Sequence, residues 1–216
     1  MAKIIKIQNE TRVHYFCQEI REVLKQGGAI GYPTDTFYAL GVDPWNPAAV
    51  ESIYSIKKRP FEKPILLLIS SLRQLDNLIL NVDQYAHVLM EALWPGPLTL
   101  LFEAKPDLPE LLTAGSGKIG IRLPASPLAV KLIECLGHPL TGSSANLNKR
   151  PNCLSAQEVE ESLGSELSLI VDGGSYLGGK PSTILDVSKS PPRLIREGAS
   201  ALSQIEGILE MKISSL

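Results

Sequence analysis

Hydrophobic residues recur along the chain with two periods, that of an amphipathic helix and the two-residue alternation of a strand. Val13, Phe16 and Ile20 lie on one face of a predicted helix that stops before the Gly-Gly pair at 27–28. Because strands and helices are interleaved and the last strands cluster, the pattern predicts an α/β domain with a twisted, mixed parallel and antiparallel sheet flanked by helices. Further helices are predicted at 47–57, 83–93, 127–136, 155–163 and in a last segment ending near 211. Strands are predicted at 3–8, 29–32, 65–69, 98–104, 119–123, 169–171, 183–187 and 194–195.

Polar residues mark the starts of three of these helices. Asn46 precedes Pro47, and proline is favoured at the first helical position. Asp83 can cap the helix that follows it, and Ser155 with Glu158 forms the pattern of a capping box.

The length of 216 residues suits one compact domain, and we predict a single domain over 1–216. We find no internal repeat and no linker rich enough to divide the chain. Hydrophobic residues make up 44% and charged residues 20%, which favours a folded chain over a disordered one. The net charge of −2 argues against a wholly basic surface for nucleic acid, but it leaves room for a local basic pocket.

Cysteine and histidine usage indicates neither a disulfide framework nor a zinc site. Cys17, Cys135 and Cys153 lie far apart, form no C-x-x-C and are odd in number, so we expect small buried thiols in a reducing compartment. The three histidines are equally scattered. The N-terminus lacks the apolar core of a signal peptide, and the longest aliphatic run, 65–69, is far shorter than the ~20 residues that span a bilayer. These features predict a soluble, cytoplasmic protein.

Two polar segments in the first third of the chain could carry chemistry, although each alone also fits a structural role. YPTDT at 32–36 follows a predicted strand and is typical of an Asx-type turn. Three cations at 57–59 end a predicted helix, where positive charge also complements the helix dipole.

Two later segments are similarly ambiguous by themselves. WPGP at 94–97 is typical of a rigid turn. TGSSAN at 141–146 contains several hydroxyl and amide side chains, which suit anion binding or any polar turn. The segment 174–180 matches the start of a phosphate-binding loop, but Pro181 stands where that motif requires Ser or Thr, which excludes it.

Taken together and in order, eight segments resemble the YrdC-like threonylcarbamoyl-AMP synthases over about 12–200. The most specific part is the K-x-R of Lys57 and Arg59 paired with the S-x-N of Ser144 and Asn146. The segments are PTDTFYALG (33–41), KKRP (57–60), WPGPLTL (94–100), IGIRLP (119–124), SSAN (143–146), VDGG (171–174), PSTILD (181–186) and IREGA (195–199).

Three places depart from the family pattern. Ala39 replaces the usual glycine, 148–149 is Asn-Lys where Ser-Gly is common, and 125–126 is Ala-Ser where Asp-His is expected. These changes concern loop shape and leave the main polar residues in place.

The resemblance implies a YrdC-like fold with a large basic cleft and the activity of a nucleotidyltransferase. Such an enzyme condenses L-threonine, bicarbonate or carbon dioxide, and ATP into threonylcarbamoyl-AMP and pyrophosphate. A partner transferase then modifies adenosine 37 of tRNAs that read codons starting with A, and the enzyme's own contact with tRNA is expected to be weak. Because the chain ends soon after the family domain, we expect the short, single-domain type.

The resemblance also assigns roles to individual residues. Lys57 and Arg59 are the expected catalytic residues, because every reactant is anionic and the site must gather cations. Asp35 is expected to shape its turn, and magnesium to be held mainly by ATP phosphates and water, without a protein metal site. The residues expected at ATP are Lys57, Arg59, Lys118, Ser144, Asn146 and Arg196, with Lys63 as a further phosphate contact. Those expected at threonine are Thr34, Arg122 and Ser182.

Two alternative functions remain open from the sequence. A non-enzymatic RNA-binding or ribosome-maturation module could use the same basic cleft, although the net charge of −2 and the 6% aromatic content offer it little support. A carbamoyl-adenylate domain of the hydrogenase-maturation type would keep the fold and change the acceptor, but the acylphosphatase and zinc-finger segments that accompany such domains are absent from this sequence.

Overall fold

Within residues 1–7, 9–176 and 179–215, which the computed structural model describes, the chain forms seven α-helices and twelve strands. The helices are α1 (Val13–Lys25), α2 (Pro47–Lys57), α3 (Gln84–Leu93), α4 (Glu110–Thr113), α5 (Pro127–Leu136), α6 (Ala156–Leu163) and α7 (Leu202–Leu209). The strands are β1 (Lys3–Lys6), β2 (Ile30–Pro33), β3 (Tyr38–Gly41), β4 (Leu67–Leu68), β5 (Leu98–Glu103), β6 (Lys118–Arg122), β7 (Leu140–Thr141), β8 (Ser143–Ser144), β9 (Leu169–Asp172), β10 (Thr183–Asp186), β11 (Arg193–Arg196) and β12 (Ser214–Ser215).

The predicted α/β class is confirmed, but the strands divide between two mixed sheets instead of forming one. The five-stranded sheet has the order β1-β9-β2-β3-β8, and the seven-stranded sheet has the order β12-β11-β10-β5-β6-β4-β7. Both contain parallel and antiparallel neighbours: β2 is parallel to β9 and antiparallel to β3, and β5 is parallel to β10 and antiparallel to β6. Each sheet thus combines strands that are far apart in the sequence.

The helix starts predicted from polar residues are confirmed. The side chain of Asn46 accepts a hydrogen bond from the backbone of α2, that of Asp83 from α3 at 2.7 Å, and that of Ser155 from Glu158 N at 3.2 Å. Each side chain satisfies a backbone N–H that has no partner inside its helix, which stabilises the helix by about 1 kcal/mol.

The segment 140–144 passes from one sheet to the other. β7 pairs with β4 in the seven-stranded sheet, β8 pairs with β3 in the five-stranded sheet, and only Gly142 separates them. A Cβ atom on Gly142 would lie 2.7 Å from Cγ of Leu68, so a larger residue could not pass this point without a shift. This crossing places the serines that follow Gly142 at the boundary of the two sheets.

Two clusters of buried hydrophobic residues hold these layers together. Helices α1 and α5 pack against the five-stranded sheet through residues such as Ile20, Leu132 and Val171. A larger cluster, which includes Ile53 and Leu100, fills the space around α2, α3 and the seven-stranded sheet. Each such side chain contributes about 1.5–3 kcal/mol on full burial, so the clusters fix the strands that carry the cleft described below.

The expectation of three isolated thiols is wrong for two of them. Cys17 on α1 and Cys135 on α5 form a disulfide with a Cα–Cα distance of 5.8 Å. Because 118 residues separate them, their meeting depends on the packing of α1 against α5, which cysteine spacing alone does not reveal. Cys153 is a free, buried thiol, as expected.

Several strands differ from the predicted pattern, and the short strands β7, β8 and β12 were not predicted. The buried strand β3 was not predicted, and the predicted strand at 65–69 is reduced to the two residues of β4. The predicted strand at 3–8 ends at Lys6, and Gln8 lies outside the described residues. Among the helices that the structure describes, none combines the length and apolar character needed to cross a membrane.

Candidate active site

A cleft of about 480 Å³ is lined by residues of both sheets. The five-stranded sheet contributes the hairpin of β2 and β3, including Thr34 and Tyr38, and the seven-stranded sheet contributes β5, β6, β10 and the end of β11. This volume suits a small-molecule ligand or a pair of small ligands.

The floor of the cleft follows from strand periodicity. On neighbouring strands every second residue faces the same side, so β5, β6 and β10 each direct alternate residues toward the cleft. The residues on this floor are Thr99 and Leu101, Gly120 and Arg122, and Ser182 and Ile184. Leu66 and Leu68 extend the apolar part, and Ile195, which is 40% exposed, lies at its edge.

Arg122 is held in one orientation at the end of β6. Its Nε donates to Gly96 O at 3.0 Å, its Nη1 donates to Thr36 Oγ1 at 3.1 Å, and its Nη2 forms an ion pair with Asp35. The WPGP and PTDT segments therefore meet at this guanidinium, although they are far apart in sequence. Arg122 lines the cleft, as expected for a residue that binds a carboxylate.

Thr34 lies in the same corner but is mostly occupied by its own turn. Its hydroxyl donates to Phe37 O at 2.7 Å and accepts from the backbone N–H groups of Thr36 and Phe37. A turn is present as predicted from YPTDT, but the Thr34 hydroxyl organises it, whereas the Asp35 carboxylate binds Arg122. The turn presents Thr34 and Thr36 to the cleft.

Ser182, which immediately precedes β10, and Arg196, at the end of β11, line the cleft. The Ser182 hydroxyl lies 2.9 Å from Thr99 Oγ1, and Arg196 donates through Nη2 and Nε to Ser182 O at 2.7 and 3.2 Å. A Cβ atom on Gly198 would lie 2.1 Å from Pro181 O, so glycine permits the close approach of these two segments. Burial, and then the positive charge of Arg122, lower the pKa of Arg196 from its usual value.

Lys57 lies inside the protein and holds the S-x-N segment from behind. It is 3% exposed, its Nζ donates to Asn146 O at 2.8 Å and to Ser144 O, and it does not line the cleft. Asn146 is also buried, and its amide donates to the backbone at Leu147 and Arg150. The structure therefore joins the expected residues Lys57, Ser144 and Asn146, but only Ser144 faces the cleft.

Lys57 gives rise to a prediction about the pH dependence of stability. Burial, and then the charge of Arg59, lower the pKa of Lys57 from 10.5 to about 8. Between these values the unfolded chain binds one proton more than the folded chain, so the free energy of unfolding should rise as pH increases. From pH 7 to pH 9 we expect Lys57 to contribute a rise of about 1 kcal/mol, to be measured by denaturant titration of the wild type and Lys57→Met. The same pH dependence in both proteins would mean that Lys57 is not the group responsible.

Arg59 reaches the cleft and has an unused donor. Its Nη2 donates to Pro64 O at 2.7 Å and its Nη1 lies 3.4 Å from Ser143 Oγ, whereas its buried Nε has no hydrogen-bond partner among the described residues. Burial lowers the pKa of the guanidinium from its usual value. A buried donor without a partner costs free energy. An anion that accepts a hydrogen bond from Arg59 would remove this cost, which favours its binding. Lys63, exposed on the loop that follows, also lines the cleft.

Lys118 lies outside this group of residues. It faces the same side of β6 as Arg122 but at the other end of the strand, and its Nζ forms an ion pair of 2.7 Å with Asp186. Although burial opposes the shift, hydrogen bonds from Lys118 and Ser188 hold the pKa of Asp186 below its usual range. Lys118 is not among the residues that line the cleft, and this ion pair accounts for its charge.

Several cleft residues were not predicted from the sequence, among them Thr36, Thr99 and Asn152. Thr36 and Thr99 belong to motifs that were recognised, and alternation along β5 would have placed Thr99 beside Leu101 on one face. Asn152 lies in an irregular segment between β8 and α6, where no periodicity indicates direction. In the part of the chain that the structure describes, no group of three or more His, Cys, Asp or Glu side chains could hold a metal ion.

Comparison with known proteins identifies the family of this chain. Residues 22–198 match the Sua5/YciO/YrdC family model, which is described as "Telomere recombination". The chain belongs to this family. The resemblance inferred from the motifs is therefore confirmed.

Curated relatives and a solved structure agree with this membership. A threonylcarbamoyl-AMP synthase of Pyrococcus abyssi is 34% identical over 186 residues, which are 86% of this chain and 55% of that protein. One of Vibrio parahaemolyticus is 35% identical over 185 residues, which are 84% of this chain and 98% of that protein. The crystal structure of P. abyssi Sua5 complexed with L-threonine matches with a TM-score of 0.90 at 32% identity, covering 100% of this chain and 62% of that chain. This chain thus spans little more than half of the Pyrococcus relative and nearly all of the Vibrio relative.

Proposed function

We propose that the cleft is the active site of an L-threonylcarbamoyladenylate synthase. The observation that carries the proposal is the arrangement of cations in the cleft: Arg122, held at one corner beside hydroxyl groups, and Arg59, Lys63 and Arg196 around the rest. A site for one anion needs fewer cations, whereas an amino acid carboxylate, a carbamate and a triphosphate repel one another unless several are present.

The reaction proceeds in two steps that this site suits. The neutral amine of threonine forms an N–C bond with carbon dioxide, and the proton it loses passes to water, which gives a carbamate. A carbamate oxygen then forms a bond with the α-phosphorus of ATP while the bond to the bridging α–β oxygen breaks, so that pyrophosphate leaves. Both steps depend more on holding anions together in line than on a strong acid or base.

The residues divide between the two substrates. The carboxylate of threonine would bind Arg122, with Ser182 and the Thr34 turn around the rest of the amino acid. The phosphates of ATP would bind Arg59, Lys63 and Arg196, together with Ser144 at the end of β8. The apolar floor of Leu66, Leu68, Leu101 and Ile184 offers a surface for the adenine ring and the threonine methyl group. Lys57 and Asn146 would act by fixing the segment that carries Ser144.

Magnesium would enter as part of the substrate, MgATP. Among the described residues, the polar groups that line the cleft are cations, hydroxyl groups and amides, and the Asp35 carboxylate is engaged by Arg122. Phosphate oxygens and water suit magnesium well, so the chain need not supply a ligand.

The product implies a partner and a compartment. Because a mixed anhydride of a carbamate and a phosphate is labile, a tRNA threonylcarbamoyl transferase must consume it soon after release, and we place both proteins in the cytoplasm. We also propose that the synthase itself contacts tRNA weakly.

Omission of single substrates tests this function. Pyrophosphate release from ATP, measured in buffer depleted of carbon dioxide, should require threonine and bicarbonate together, because the nucleophile is their adduct. The rate with serine should be lower than that with threonine by about tenfold or more, because serine lacks the methyl group of threonine and its contact. Equal rates with threonine, with serine and without any amino acid would overturn the proposal.

A further inference from the structure

The cations of the cleft differ in one respect, which is whether a carboxylate accompanies them. Arg59, Lys63, Arg122 and Arg196 all line the cleft. Among the residues that the structure describes, ion pairs join five pairs of side chains, and Arg122 with Asp35 is the only one of the five that includes a cleft cation. One of four similar cations is thus neutralised and the others are not.

The pair of Asp35 and Arg122 is built into the protein rather than formed at its surface. The side chains are 12% and 5% exposed, and the guanidinium is also bound by Gly96 O and Thr36 Oγ1. The Arg122 side chain is therefore fixed by three contacts from two loops, and its orientation does not depend on Asp35 alone. The carboxylate contributes something that the two neutral acceptors do not, namely a negative charge beside the site.

Without that charge, Arg122 would be a second phosphate-binding group. Arg122 and Arg196 both line this cleft. The charge of Arg122 adds to the effect of burial in lowering the pKa of Arg196. Two neighbouring guanidinium groups form a strong site for a phosphate or pyrophosphate group, which carries more charge than a carboxylate.

We propose that Asp35 is a specificity-determining residue, which reserves Arg122 for the carboxylate of the amino acid and directs the phosphates of the nucleotide to Arg59, Lys63 and Arg196. The inference rests on the proposed function, because it takes a carboxylate and a polyphosphate as the two ligands of the cleft. The physical reason is that the repulsion from Asp35 grows with the charge of the ligand, so it penalises a phosphate group more than a carboxylate. The sequence predicted Asp35 only as a turn residue, whereas in the structure its carboxylate binds Arg122.

Calorimetry with pyrophosphate as a competitor tests the proposal. In the wild type, saturating pyrophosphate should change the Kd of threonine by less than about twofold, because the two anions bind apart. In Asp35→Asn, which keeps the shape and removes the charge, pyrophosphate should raise the apparent Kd of threonine by about tenfold or more. Asp35→Glu, which restores the charge, should behave as the wild type.

Asp43→Asn is the matched control. Asp43 accepts a hydrogen bond from the backbone N–H of Trp45 at 2.9 Å and, among the described residues, forms no ion pair with a cation of the cleft. This variant should show no competition between pyrophosphate and threonine.

Each further outcome bears on the proposal. If pyrophosphate competes with threonine in the wild type, or does not compete in Asp35→Asn, the role of Asp35 is overturned. The proposed function would still stand in either case, provided that the protein binds threonine. If the wild type binds no threonine, the proposed function and the inference fall together. Should Asp35→Asn not fold, competition between pyrophosphate and threonine in the wild type would still contradict the proposal.

Discussion

Replacing Arg59 with alanine is expected to reduce adenylate formation several hundred-fold while lowering the melting temperature little. In the cleft its Nε has no partner and its Nη2 binds only Pro64 O, so the folded protein loses few contacts. Loss of a charge-assisted contact to the phosphates, however, costs several kcal/mol of transition-state stabilisation. The measurements are kcat/KM for pyrophosphate release and thermal unfolding of the same variant.

The neighbouring cations supply the controls for Arg59. Lys58 is exposed and ends α2 in a left-handed conformation, with φ of 49°, so Lys58→Ala should retain activity within about twofold. Lys57→Ala should also lose activity, but with a clear fall in melting temperature, because it removes the buried ammonium that holds Ser144 and Asn146. Loss of activity in Lys58→Ala and retention in Arg59→Ala would show that the wrong cation has been assigned to the phosphates.

Arg122→Lys should raise the KM for threonine by about 10- to 100-fold and change the KM for ATP by less than about threefold. Lysine keeps the charge near Asp35 but cannot reproduce the three separate contacts of the guanidinium or offer a planar edge to a carboxylate. Initial rates with each substrate varied in turn measure both constants. An unchanged KM for threonine, or an equal rise in both constants, would remove Arg122 from the carboxylate site.

The elements with strong local signals could be predicted from the sequence. Helix α5 was predicted with its observed bounds, because Ser126 caps it, Pro127 begins it and Gly137 ends it in a left-handed conformation. Strand β3 was missed because all four of its residues are buried, so it shows no alternation and follows directly on a turn. A short apolar run is ambiguous by itself, and only its pairing with β2 and β8 makes it a strand.

The membership of the site could be predicted better than its geometry. The motifs brought together Arg59, Arg122, Ser144, Ser182 and Arg196, which all line one cleft. The motifs could not show which cation at the end of α2 points inward. That depends on the left-handed conformation of Lys58 and on the loop of Ser144 and Asn146, which packs against Lys57. The same limit applied to Lys118, whose partner Asp186 comes from a strand 68 residues later.

The most direct test of the central claim is the incorporation of radiolabelled bicarbonate into an adenylate. The protein is incubated with MgATP, threonine and labelled bicarbonate, and the nucleotides are separated rapidly at low temperature because the anhydride is labile. We expect a labelled product that contains threonine and AMP and forms in equal amount with pyrophosphate, at a rate that falls several hundred-fold in Arg59→Ala. Pyrophosphate release without label in a nucleotide product, or label incorporation that does not depend on threonine, would contradict the assignment of this cleft.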